Sequence, residues 1–460
     1  MIHEVGRRVP PFAVLPYREL LAYAAPSAGS GFFYIPMWSI LPEIYAKYFG
    51  LKLTSIAASL LIIRLFDGLM DGAVGYLSDL HRRLGGTSRS WVIAGSLCTV
   101  IACGFLFAPP GPVSTGYYLG WSMAYFAAFS MTEIPHATWG NNLTMDYDAR
   151  ALVFGARNVM HKFGTTLFYA LPILFSGLSL DYTPQILGVA IQFGAVMTVL
   201  GLTWAYLGAP KGAPYHTVHK DSLQLLLHTV TANKPLLIYL AAFVCGGICY
   251  GMWFGLFYFY LDAYLNLGSW VPPMFLIGGV LSVISTPIWI RLVRNTSKSS
   301  AWAICVTLFT MQLVASLWVT PHTPWWTALF LVAIAHVCFS GHDISTIAVL
   351  GDIVDYGKLR FGTDRGSTYV AAYTLLFKIG LGVGSAASIG VAGVFGFSPT
   401  LPVTGRALLG LHVGFVALPC CMGLLGLAFI ILTPITRRRH RIIQRRLESR
   451  MTVSEQTDGA

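Results

Sequence analysis

The sequence predicts an all-α membrane protein, with about twelve transmembrane helices in two six-helix bundles and the N and C termini cytoplasmic. Three observations lead there. Hydrophobic residues are 55% of the 460, charged residues are 11%, and the mean hydropathy is +0.65. A soluble domain carries roughly twice that charged share, so most of this surface faces something other than water. Apolar runs recur from one end of the chain to the other, none bounded by a soluble-looking domain. Basic residues collect in alternate short loops, the charge pattern of a multi-span protein.

The spans follow in order. Stretches long enough to cross a hydrocarbon core begin near Leu20, Leu53, Trp91, Thr115, Asn158, Gln185, Pro235, Trp270, Ala301, Pro324, Tyr369 and Ala407. Each is assigned as helix, because lipid offers backbone polar groups no water to bond. The alternating signature of an outer-membrane barrel is missing.

Charge sets the topology. Arg82, Arg83 and Arg89 form one basic loop, Arg150 marks the next, and Lys211 and Lys220 the one after. Arg291, Arg294 and Lys298 follow, then Lys358, Arg360 and Arg365, and finally the tail from Arg437 to Arg446. The intervening loops carry few, Lys47 and Lys52 being the main exceptions. The net charge of +11 is therefore topological and no nucleic-acid partner is expected. No long apolar run precedes Arg18, and the next is too long for the core of a cleavable signal. The eight cysteines lie mostly inside spans without metal-ligand spacing, as small packing residues do. A P-loop, a nucleophile elbow and a metal triad are all missing, so neither an enzyme nor a resident cofactor is expected.

The longest polar interruption, 210–234, falls midway. It divides the chain into an N-terminal bundle (1–209), a central cytoplasmic loop (210–234), a C-terminal bundle (235–435) and a basic tail (436–460). Each half has a basic loop after its second span, as parallel half-repeats of an alternating-access carrier would.

Ionisable residues inside the spans are the functional candidates, since each costs at least about 2.5–3.5 kcal/mol at the bilayer centre. Asp67 and Asp71 share one face of the second span. Their repulsion calls for a proton or a cation between them, and hard cations such as sodium favour such oxygen donors. The plainer reading pairs Asp67 with a neighbouring Arg. Glu133 stands beside Pro135, which can open the fourth span and free a carbonyl. It is either a third cavity carboxylate or a helix-end group. Lys378, one turn after Thr374, needs a carboxylate partner such as Asp67 or Glu133, or else it snorkels to an interface. His336, His342 and Asp343 in the tenth span read as a proton relay or as hydrogen-bonded structural groups. Gly380, Gly382 and Gly384 lie within a span, where small residues permit close packing.

Three ordered motifs carry a resemblance. Arg64 to Asp79, Glu133 through Arg150 to Arg157, and Gly351 to Gly357 followed by Lys378 together resemble the glycoside–pentoside–hexuronide:cation symporters, the melibiose-carrier branch of the major facilitator superfamily. The resemblance implies a twelve-helix carrier, monomeric, in a bacterial inner membrane among its lipids. It would couple uptake of a small solute to proton or sodium entry by alternating access. Asp67 and Asp71 match the paired cation-site acids, and Ser130 a hydroxyl cation ligand. Thr374 and Lys378 match the eleventh-helix pair near cation and sugar. Glu133 and Arg157 match substrate contacts, and Tyr34 and Trp38 are the aromatic groups that the first span offers a sugar. Asp67 and Asp71 would hold the metal if sodium is the coupling ion.

The sequence also departs from that family. Met70 stands where sodium users have Asn, and a thioether is a poor sodium ligand, which favours protons. Gly72 replaces a Pro, Gly31 replaces the sugar-binding Asp of galactoside carriers, and Ala137 replaces a stacking Trp, with Trp139 nearby. Two alternatives accompany this reading. The aromatic seventh span (Tyr250, Trp253, Phe254, Phe257, Tyr258, Phe259) would suit an amphiphile such as a lysolipid, or simply pack. A sensor or assembly factor that keeps the scaffold is the other.

Overall fold

The computed structural model describes residues 16–144, 147–175, 177, 180–211, 230–362, 366–434 and 437–458. Lys220, Arg365 and the side chain of Arg150, all used for the topology, lie outside the described residues. So does most of the central loop.

The first rod, α1 (residues 17–47), is four segments: Tyr17–Ala24, Pro26–Ile35, a π-type turn at Pro36–Ile40, and Leu41–Lys47. Pro26, Pro36 and Pro42 each lack the N–H that would continue the ladder, and they account for the breaks. Then come α2 (Leu53–Arg83), α3 (Ser88–Phe107), α4 (Thr115–Asn141), α5 (Tyr147–Leu174) and α6 (Pro184–Gly208). After the central loop come α7 (Lys234–Tyr264), α8 (Gly268–Asn295), α9 (Lys298–Trp318), α10 (Trp325–Phe361), α11 (Gly366–Val394) and α12 (Gly405–Ile431). The last is α13 (Arg437–Asp458). Nine of these are long and apolar enough to span a membrane. Polar residues lower the hydropathy of α4 and α5, and the proline breaks divide α1. These three contribute much of the candidate site.

Helix pairing repeats with a step of six. α1 packs on α5 and α6, and α7 on α11 and α12; α3 packs on α4 and α6, and α9 on α10 and α12. α2 packs on α4, and α8 on α10. Across the halves, α2 meets α11 and α8 meets α5. Four glycines set the closest crossings. A Cβ on Gly31 would lie 2.0 Å from the His161 carbonyl oxygen, and one on Gly164 1.9 Å from that of Ala28. In the second half, Gly251 meets the Leu381 oxygen at 2.1 Å and Gly384 that of Ile248 at 2.1 Å. Gly31 to Gly251 and Gly164 to Gly384 are equal steps along the chain, so the same backbone contact occurs in each half.

The seventh-span aromatics divide by role. Trp253, Phe257, Tyr258 and Phe259 are buried in the core, whereas Tyr250 and Phe254 line a cavity between the halves. The cysteines are free, and most are buried. The tail helix docks on α10, where His440 reaches Asp352 (3.1 Å) and Asp355 (3.0 Å), and Lys298 also pairs with Asp352.

Candidate functional site

The second helix presents Arg64, Asp67 and Asp71 on one face, a consequence of their spacings of three and four. Arg64 Nη1 donates to Asp67 Oδ2 at 3.2 Å, and both side chains are almost fully buried (3% and 4% exposed). The guanidinium lies over the rings of Trp38 and Phe126, a cation–π arrangement that positions it. A Cβ on Gly382 of α11 would come within 2.0 Å of Arg64 Cγ, so this glycine leaves room for the stem. The plainer sequence reading of Asp67, a pairing with a neighbouring Arg, is thus what the structure contains.

Asp71 is treated differently. Lys378 Nζ, from the other half, donates to Asp71 Oδ2 at 2.7 Å. Ser130 Oγ of α4 donates to Asp71 Oδ1 at 2.6 Å and approaches Asp67 Oδ1 at 3.4 Å. Asp71 and Lys378 are 21% and 27% exposed, so solvent reaches this pair. Each acid has its own cationic side chain, and the shared hydroxyl of Ser130 links them. Among the described residues no cluster of three or more His, Cys, Asp or Glu has the grouping of a metal site. Asp67, Asp71 and Ser130 together still offer oxygen donors for a proton or a hard cation.

Glu133 pairs with Arg157 of α5, which also donates to the Glu133 carbonyl at 3.3 Å. The fourth helix runs unbroken through Pro135. Tyr34 stacks on Phe129 (5.3 Å) and, with Trp38, lines the cavity. Thr374 is not drawn in. Its hydroxyl bonds its own helix at the Val370 carbonyl (2.9 Å).

The cavity, about 340 Å³, lies where α1, α5, α7, α8, α10 and α11 meet. Tyr169 stacks on Phe275 (4.7 Å), Ser39 Oγ donates to the Phe254 carbonyl (3.2 Å), and Lys47 pairs with Asp262, all joining the halves on the side away from the basic loops. Glu43 is fully buried beside this pair. Toward the basic loops, Lys162, Asp343 and Thr374 are exposed. The cavity is therefore closed at one end and accessible from the other.

Comparison with known proteins shows the family. The family described as MFS/sugar transport protein matches residues 22–437. The chain belongs to that family. A glucuronide carrier protein homolog of Escherichia coli (strain K12) is 21% identical over 96% of this chain and 98% of that protein. An uncharacterized symporter of Bacillus subtilis (strain 168), YjmB, is 23% identical over 93% of this chain and 94% of that one. Among solved structures, a bacterial homolog of the human lysosomal transporter Spinster, inward-facing, superposes with a TM-score of 0.66 at 14% identity, covering 94% of this chain and 98% of that one. The nucleoside transporter NupG gives 0.64 at 12%, covering 91% and 99%. This MFS/sugar transport protein is a secondary transporter, not an enzyme, and an integral multi-pass protein of a bacterial inner membrane.

Three groups lay outside the sequence reading. Lys162 lines the cavity five residues beyond Arg157, a charge within a span. Lys47, an exception to the loop pattern, has its partner in Asp262. Glu43 is a further buried acid. Lys47→Met is expected to loosen the closed end. The Lys47–Asp262 pair is partly exposed, so the shift is modest, up to about fivefold in opening. A cysteine placed at Ser39 should then react faster with a membrane-impermeant maleimide added from that side.

Proposed function

We propose that this MFS/sugar transport protein couples the entry of a proton or a sodium ion to uptake of a small hydroxylated solute of the sugar or glycoside kind. One observation carries the reading. Asp67, Asp71 and Ser130 of the first half converge beside Lys378 of the second, and the neighbouring residues Phe377 and Leu381 of the same helix line the cavity where the halves meet. A cation arriving at Asp71 competes with Lys378 for the carboxylate. Releasing that cross-half ion pair makes the relative movement of the halves depend on the ion. Solute bound among Tyr34, Trp38 and the Glu133–Arg157 pair touches the same helices, so each ligand favours a state that the other also prefers. The names of the curated relatives, a glucuronide carrier homolog and a symporter, support a sugar-like solute and symport. Met70 favours the proton.

The test is uptake of neutral and acidic glycosides into proteoliposomes under an imposed proton or sodium gradient. Uptake should rise with one of the two gradients. Uptake indifferent to both would overturn ion coupling.

A further inference from the structure

Most charges within the spans come in neutralising pairs: Arg64 with Asp67, Lys378 with Asp71, Arg157 with Glu133, Lys47 with Asp262. Lys162 and Asp343 do not. Lys162 reaches the cavity from α5 in the first half, and Asp343 from α10 in the second. Both side chains are exposed there, and neither makes an ion pair or a side-chain hydrogen bond among the described residues. Beside Asp343, His342 is only 3% exposed and lies on the same wall, yet neither ring nitrogen has a partner among the described residues. Its ring is held by Phe243 (stacked, 5.4 Å) and Tyr250 (edge-on, 4.8 Å). A buried polar group without a partner is destabilising, so this wall favours a ligand that supplies one.

The chemistry of that ligand follows from the charges. With histidines neutral, Lys162 and Asp343 are the charged residues that line the cavity and they cancel, so the net charge of its lining is zero. A neutral imidazole has one donor and one acceptor nitrogen, which suits hydroxyl groups. An added carboxylate would gain Lys162 but would have to share a largely apolar cavity with Asp343.

We propose that Lys162 and Asp343 set the charge selectivity of the cavity, admitting an uncharged hydroxylated solute and disfavouring its acidic analogue, with His342 hydrogen-bonding a solute hydroxyl. This rests on the glycoside reading above. It also sets the chain apart from a carrier dedicated to an acidic sugar.

The experiment compares a matched pair of probes, 4-nitrophenyl β-D-glucoside and 4-nitrophenyl β-D-glucuronide, by calorimetry on the purified full chain. Wild type should prefer the glucoside by about tenfold, the scale of one unbalanced charge in a partly wet site. Asp343→Asn should bring the ratio to one or invert it. Lys162→Gln should widen it and raise affinity for the 4-nitrophenyl glycoside of glucosamine. The double exchange Lys162→Asp with Asp343→Lys, which conserves the charge balance, should restore the glucoside preference. Unchanged ratios in both single variants, with glycosides still bound, would overturn the selectivity role. A pair that serves only to close the cavity gives that result, because it alters binding of both probes alike. Binding of neither probe by wild type would overturn the glycoside reading itself, and this inference with it.

Discussion

Asp71→Asn is expected to lower gradient-driven uptake by about 100-fold, equivalent to about 2.7 kcal/mol, while the protein stays folded. Asp67→Asn, four residues away, is expected to act chiefly on folding. The difference comes from the surroundings of two carboxylates that look equivalent in sequence. Asp67 and Arg64 are 4% and 3% exposed, so removing one charge strands the other in a low-dielectric interior. Stranding a buried partner typically costs about 3–5 kcal/mol. Asp71 and Lys378 are 21% and 27% exposed, and solvent relieves the stranded ammonium. What Asp71→Asn removes is the carboxylate for which ion and Lys378 compete. The double variant Asp71→Asn with Lys378→Met then separates the two effects. It should stay folded and equilibrate solute across the membrane without responding to either gradient. Size-exclusion profiles and counterflow uptake in proteoliposomes measure both. Gradient-driven accumulation by Asp71→Asn at the wild-type level would remove Asp71 from the coupling site.

The helices were legible because the bilayer leaves the chain almost no other choice, and most span starts sit within a few residues of the observed ones. Asp67, Asp71, Glu133 and Lys378 stood out for the same reason, since charge inside lipid is expensive enough to be conspicuous, whereas Arg157 came from the family resemblance. The fifth helix was less legible. Its apolar run begins near Asn158, but the helix begins at Tyr147. The early polar turns moved the inferred boundary inward, and Lys162, which stands in mid-helix on the cavity wall, was passed over. Pairings across the halves were less accessible. Lys47 and Asp262 lie 215 residues apart, and nothing local in either segment names the other. Thr374 makes a bond that its spacing alone does not reveal. Its position one turn from Lys378 is right, but a threonine in a helix can bond the carbonyl four residues back, and this one does.

Gly31→Asp is expected to destabilise the protein and not to create a galactoside carrier. In the sequence, Gly31 aligns with the sugar-binding Asp of galactoside carriers, so restoring an acid there looks like a gain of function. The backbone forbids it. A Cβ at Gly31 would sit 2.0 Å from the His161 carbonyl oxygen and 2.9 Å from its Cα, and backbone atoms cannot swing aside as a side-chain tip can. α1 and α5 would have to separate, and overpacking of this kind costs about 1–3 kcal/mol or more. The control is the matching crossing in the other half. Gly251→Ala meets the Leu381 oxygen at 2.1 Å and should lower the melting temperature to a similar degree. Gly72→Ala meets nothing within 4 Å and should not lower it. Melting curves of the three purified variants decide the matter. A Gly31→Asp protein as stable as wild type would mean that α1 and α5 have room to part, and the acid would then be free to bind solute. Destabilisation shared with Gly251→Ala would mean that this chain gave up an acid at that position for a tighter helix crossing. Its solute must then be recognised from the other walls of the cavity, where Lys162, His342 and Asp343 stand.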